Sequence, residues 1–175
     1  MIFFSCFFGQ LHRYDPIHDV FVKLHSAQDS VYPSVVRDML VDSADNLWVG
    51  ATNGLFLLSS RSTELKRLSD LSVNDIEMSS DGSLFLVAYD AIYKINDTQV
   101  NREFKFTDQL TFKQLFIDNQ DNLWAINDQG LWSVDHSTWS FSAYPLEDFN
   151  SSGVFHATSI PVSYTHLTLP TICSV

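Results

Sequence analysis

A short frame comes round three times in this chain: Asp42-Ser43-Ala44-Asp45-Asn46-Leu47-Trp48, Ser79-Ser80-Asp81-Gly82-Ser83-Leu84-Phe85 and Asp118-Asn119-Gln120-Asp121-Asn122-Leu123-Trp124. Its leucines stand at positions 47, 84 and 123, which gives spacings of 37 and 39 residues. A unit of about forty residues with aromatic and turn residues at fixed offsets is the mark of a β-propeller blade. Each unit is one small sheet that buries its two faces only against copies of itself. The repeat therefore predicts an all-β chain folded as a partial β-propeller, with about four blades' worth of four-stranded antiparallel sheets.

Each repeat divides into four expected strands. A β-rich run enters the frame at Val35 to Val41, Asn74 to Met78 and Phe112 to Ile117. The frame then demands a turn, for Asp45, Gly82 and Asp121 are residues that tolerate positive φ. Asp42, Ser79 and Asp118 stand three residues earlier, where a side-chain oxygen can accept hydrogen bonds from the turn's N–H groups. A second strand follows at Leu47 to Ala51, Leu84 to Tyr89 and Leu123 to Asn127. Neighbouring side chains in a strand point to opposite faces. The leucine of the frame is thus expected in one inter-blade layer, and Trp48, Phe85 or Trp124 in the other. Seven residues past the leucine come Gly54, Ala91 and Gly130, where Asn53-Gly54 reads as a hairpin turn. Third strands are expected at Leu55 to Leu58, Ala91 to Ile95 and Leu131 to Val134. Outer strands are expected at Phe21 to Leu24, Leu65 to Leu68, Phe104 to Phe106 and Trp139 to Tyr144. The register also extends backwards, so Ile2 to Leu24 reads as the later strands of a blade.

Ten basic against 21 acidic residues leave a net charge of −11, which disfavours a nucleic-acid backbone or an anionic membrane as partner. Cys6 and Cys173 form no disulfide framework. The apolar opening Met1 to Phe8 lacks a basic n-region and reads as a strand rather than a leader. No run of eighteen or more apolar residues is present, so no membrane-spanning helix is expected, nor direct membrane contact by this segment. From Pro161 to Thr171 the blade register is lost. Back-translated, that stretch matches the transposon-end adapter used to prepare sequencing libraries, which makes Tyr164 and His166 parts of a non-native tail. The expected division is 1–160, partial propeller, and 161–175, adapter-like tail.

The first frame, continued as Val49-Gly50-Ala51-Thr52-Asn53-Gly54-Leu55, resembles the two-component regulator propeller repeat, whose pattern is roughly D-x-x-G-N-L-W-[IV]-G-T-x-x-G-L. Leu11-His12-Arg13-Tyr14-Asp15-Pro16 is similar to the exit segment common after that pattern. The third repeat matches through Asp118, Asn122, Leu123, Trp124, Gly130 and Leu131. The second departs from it, with Phe85 for the tryptophan and Val87-Ala88 for the Gly-Ala pair. The absence of a blade-closing Trp-Asp and of a Gly-Gly doublet separates the chain from WD40 and kelch repeats. The resemblance implies the extracytoplasmic sensor region of a hybrid two-component histidine kinase. It further implies a periplasmic location, an oligosaccharide ligand, homodimerisation in the parent, and contact with the remaining blades and downstream domains. A propeller enzyme acting on polysaccharide and an interaction scaffold are the alternatives. Polar clusters facing the axis would favour the enzyme.

No catalytic, cofactor or metal residues are assigned. Asp42, Asp45 and Asn46 lack the alternating ligand spacing of a calcium loop and read as turn closure. Trp48, Trp124 and Trp132 sit at fixed offsets and read as core rather than as sugar platforms, whereas Trp139 and Tyr144 are better candidates for exposed contacts. His12, His18, His25, His136 and His156 are scattered without metal or general-base spacing. The segment is expected to be no enzyme. It is also expected to leave sheet edges and inter-blade aromatics uncovered when expressed by itself, and so to aggregate.

Overall fold

A computed structural model describes residues 3–5, 11–26, 32–62, 64–96, 98–107 and 110–144. The expectations for Cys6, His156, Cys173 and the tail from 161 onward lie outside these residues. The described residues form sixteen strands and no helix. The first sheet is β1 (Phe3–Ser5), β2 (Leu11–Asp15) and β3 (Val20–Lys23), in that order. The second comprises β5 (Val36–Val41), β6 (Leu47–Ala51), β7 (Gly54–Leu58) and β8 (Glu64–Ser69), with the short β4 (His25–Ser26) added outside β8. The third runs through β9 (Val73–Met78), β10 (Leu84–Ala88), β11 (Ala91–Asn96) and β12 (Gln99–Lys105). The fourth is β13 (Gln114–Ile117), β14 (Leu123–Asn127), β15 (Gly130–Asp135) and β16 (Ser140–Ala143). Neighbours within each sheet are antiparallel, except that β4 lies parallel to β8.

The alternation of the frame builds three buried layers. Leu47, Val49 and Ala51 point back to Leu11 and Leu24 of the first sheet, joined by Phe56, Leu58 and Leu65. Trp48 and Leu55 point forward to Val73, Ile76, Leu84, Leu86 and Tyr93 of the third. Phe85, Val87 and Ile92 point forward again to Phe112, Leu115, Leu123 and Ala125 of the fourth. Successive residues of β6 and β10 alternate between layers, so one strand serves two interfaces. Phe56, Tyr93 and Trp132 hold equivalent cross-strand places opposite Val49, Leu86 and Ala125. Gly50 belongs to this packing, since a Cβ there would stand 2.7 Å from Cγ1 of Val73 in the next blade.

Several local expectations are corrected. Outer strand β12 begins at Gln99 and ends at Lys105, whereas Phe106 leaves the strand for the buried third layer. The expected outer strand from Trp139 begins at Ser140, because Trp139 holds φ 53° and closes the turn before it. Asn53-Gly54 does not form the hairpin turn: Ala51 pairs with Gly54, which leaves Thr52 and Asn53 as the loop. Gly54 is required for another reason. A Cβ there would lie 2.7 Å from the carbonyl oxygen of Ser69, so only glycine lets β8 approach this closely.

Candidate functional site

The repeat frame is first a clamp. Asp42 Oδ1 accepts the N–H groups of Ala44 and Asn46, both at 2.9 Å, while Oδ2 accepts Asn46 Nδ2 and Trp48 Nε1, also at 2.9 Å. Asp118 repeats the pattern with Gln120, Asn122 and Trp124 at 2.9 to 3.0 Å. The turn residues Asp45 and Asp121 adopt φ 61° and 62°, and Gly82 φ 83°, as their residue types allow. Burial alone raises the Asp42 and Asp118 carboxyls. Hydrogen bonds from Asn46 and Trp48, and from Asn122 and Trp124, outweigh it and leave both pKa values lowered. The second repeat departs from the expected acceptor role of Ser79, whose hydroxyl donates to Asp81 at 2.5 Å and to the Ser83 carbonyl at 3.1 Å. Asp81 accepts the Ser83 N–H instead, at 2.8 Å. With Phe85 replacing tryptophan, no indole N–H needs an acceptor. The carboxylates of Asp42, Asp81 and Asp118 are thus consumed in closing turns, whereas Asp121 accepts the N–H and hydroxyl of Ser80 in the preceding blade.

A second set of polar groups gathers on the innermost strands β5, β9 and β13. Bulges at Arg37 and Asn74 break the register of β5 and β9 at equivalent positions. A bulge re-aims the side chain beside it. Here Asp38 Oδ2 reaches the N–H of Ile76 at 2.8 Å, and Asp75 Oδ2 the N–H of Leu115 at 2.8 Å, each on the next blade. The bulged Arg37 donates to Asn74, and Lys113, next in the same repeat place, pairs with Asp128 at 2.5 Å. Burial, with the charge of Asp38 adding to it, pushes the Asp75 carboxyl up to about 7 although Leu115 donates to it. Glu77 is pushed up to about 8 by burial first, then by the charges of Asp75 and Asp38. Sequence reasoning missed this row, although Asp38 and Asp75 both stand nine residues before the frame's leucine.

An acidic cluster at the axis is the feature expected of the enzyme alternative, but Asp38 and Asp75 are engaged with backbone N–H groups. Among the described residues no group of three or more His, Cys, Asp or Glu is disposed to hold a metal ion. Of the histidines, His18 meets Asp15 at 2.7 Å in an exposed turn, and the His136 ring lies 5.9 Å from Phe85. Trp48 is buried in the second layer. Trp132 packs against the third layer and donates from Nε1 to Asn127 at 3.1 Å. Trp139, considered for exposed contacts, packs against the third layer with its ring centroid 6.3 Å from that of Phe85, while Tyr144 remains half-exposed, edge-on to Trp124 with ring centroids 5.7 Å apart. A shallow cleft of about 550 Å³ opens on the fourth sheet between Trp124, Ser133, His136 and Ser142. Trp124 stands there in the repeat place that Trp48 holds in the second sheet.

No protein-family model matches the chain, and the comparison with curated proteins finds no match. Solved structures do match. The extracellular domain of a putative hybrid two-component system from B. thetaiotaomicron superposes with TM-score 0.68 at 15% identity, covering 85% of this chain and 21% of that one. A second such domain from the same organism gives 0.65 at 16% identity, with 83% and 22% covered. Virginiamycin B lyase from Staphylococcus aureus gives 0.61 at 11% identity, with 80% and 50% covered. The chain therefore spans about a fifth of the sensor structures' length and half of the lyase's. At these identities the likeness establishes the fold, and the chain is a stretch of β-propeller whose blades are joined by alternating leucine and aromatic layers.

Proposed function

We propose that this chain is part of the ligand-sensing extracytoplasmic propeller of a hybrid two-component sensor histidine kinase, and that it responds to oligosaccharides from the periplasm. The observation that supports the reading best is the likeness, over most of the chain, to extracellular domains of putative hybrid two-component systems. The repeat frame agrees with it, since its Asp, Asn and Trp residues serve turn closure and packing and leave ligand recognition to loops. The segment itself performs no chemistry. Its partners are the remaining blades and downstream domains of a homodimeric parent, in which ligand binding shifts the balance between two domain arrangements. Residues 1–160 belong to the propeller and residues 161–175 do not.

Two measurements test this. The genomic reading frame around the chain should continue past about Ser159 into further blades, then a transmembrane helix and kinase motifs. A native gene that encodes the 161–175 tail and stops would overturn the assignment. The sensor region of that reading frame should gain thermal stability from an oligosaccharide panel, because a ligand that binds only the folded state raises Tm by mass action.

A propeller enzyme acting on polysaccharide, lyase or hydrolase, is the second reading. It is favoured by the carboxylates Asp38, Asp75 and Glu77 on the innermost strands and by the likeness to virginiamycin B lyase. Release of unsaturated or reducing ends from a polysaccharide panel, lost in Glu77→Gln, would establish it. No product with any substrate supports the sensor.

A further inference from the structure

The innermost strands carry three carboxylates on two neighbouring blades. Asp38 on β5 and Asp75 on β9 each cross to the next inner strand, where they accept the N–H groups of Ile76 and Leu115 at 2.8 Å. Glu77 lies two residues along β9 from Asp75, hence on the same face of its strand. The charged groups around this seam are few. On β5, Arg37 donates to Asn74 rather than to a carboxylate. Beside β13, Lys113 is paired with Asp128 at 2.5 Å. Strands β6 (Leu-Trp-Val-Gly-Ala), β10 (Leu-Phe-Leu-Val-Ala) and β13 (Gln-Leu-Phe-Ile), also packed against β9, bring no charged residue at all. Three carboxyls thus share a half-buried seam with no bonded cation among the described residues. Like charges so placed cannot all ionise without cost.

We propose that this seam is a proton-linked joint between blades: Asp38 and Asp75 tie the innermost strands together while Asp75 and Glu77 hold protons, and losing those protons loosens β5, β9 and β13 from one another. The joint would make blade packing respond to the pH of the surroundings, independently of any ligand the loops bind. The direction agrees with the raised Asp75 and Glu77 carboxyls, at about 7 and about 8. A carboxyl raised in the folded state stabilises it fully below the ordinary carboxylate range, and that stabilisation is lost as pH rises through the folded value.

The experiment is hydrogen exchange by mass spectrometry on the full chain at about pH 6 and about pH 9, each rate divided by its intrinsic rate at that pH. Peptides carrying the Ile76 and Leu115 amides should open about tenfold more often at the higher pH, the factor that one pKa unit of differential stabilisation supplies. Peptides of the outer strand β12 should not. Glu77→Gln keeps the shape and removes one charge, and should abolish most of the rise; Asp75→Asn keeps an acceptor for the Leu115 N–H and should reduce it. Normalised exchange at β9 and β13 that is equal at the two pH values, or a rise unchanged in Glu77→Gln, overturns the proposal. A rise of equal size in β12 also overturns it, since that is global loosening.

Discussion

The Asp42 carboxylate closes its turn through four donors, one of them the indole N–H of a tryptophan that is 3% exposed. Removing the acceptor leaves that N–H without a partner in the second layer. Asp42→Ala should therefore lower stability by about 2 kcal/mol, within the usual range for orphaning a buried donor. Chemical denaturation checks it, and Asp42→Asn, which retains one acceptor oxygen, should cost less. Because the Asp42 and Asp118 pKa values are lowered, their contribution is present above the ordinary carboxylate range and is lost as pH falls through the folded values. The Asp42→Ala deficit should shrink in an acid titration for that reason. Gly82 makes the contrasting case. At φ 83° with open space around it, it should accept Asn at little cost, as Asp45 and Asp121 hold the same place, whereas Val should cost about 1–2 kcal/mol. These residues were legible in the sequence because turn chemistry is local. The role of Gly54 was not, because a contact with the Ser69 carbonyl fifteen residues away leaves no trace in a dipeptide.

Strands were read well wherever both faces are buried, since β6 and β10 alternate leucine and aromatic residues between two layers. They were read poorly at the outer edge. Strand β12, Gln-Val-Asn-Arg-Glu-Phe-Lys, buries almost nothing and gives periodicity little to report, so only its final aromatic stood out. The parallel addition of β4 to β8 depends on where the chain crosses between blades, which no repeat pattern encodes. The inner row was invisible for a related reason: a bulge decides whether Asp38 and Asp75 point at the neighbouring strand. The blade interface itself tolerates little change. Gly50→Ala would press a methyl group against Val73 Cγ1, which stands 2.7 Å from the position of the new Cβ. A cost of about 1–3 kcal/mol is expected, as for other overpacked cores. Val73→Ala in the same chain should recover part of it, because the space it vacates is where the methyl group would go. A double-mutant cycle measures this coupling directly.

Three inter-sheet layers account for the core, and the two terminal faces of the described stack are wetter. On the first sheet Ile17, Val20, Phe21 and Val22 are exposed, at 86%, 48%, 51% and 42%. On the fourth, Tyr144 is 49% exposed beside Trp124, the residue whose counterpart in the second sheet is sealed by a following blade. Apolar surface of this kind, bordered by sheet edges, drives association between chains. The net charge of −11 opposes it through mutual repulsion, which salt screens within about 10 Å at 0.1 M ionic strength. Sedimentation velocity on the purified chain should accordingly show mass rising with concentration, and rising further with added salt. Val22→Lys on the outer strand of the first sheet and Tyr144→Lys at the fourth should each reduce the associated fraction, and together they should leave mostly monomer. Lysine works at such positions by making pairing with another sheet cost a buried charge. A wild-type chain that stays monomeric at high concentration and high salt would show instead that these faces are too small or too polar to hold a second copy.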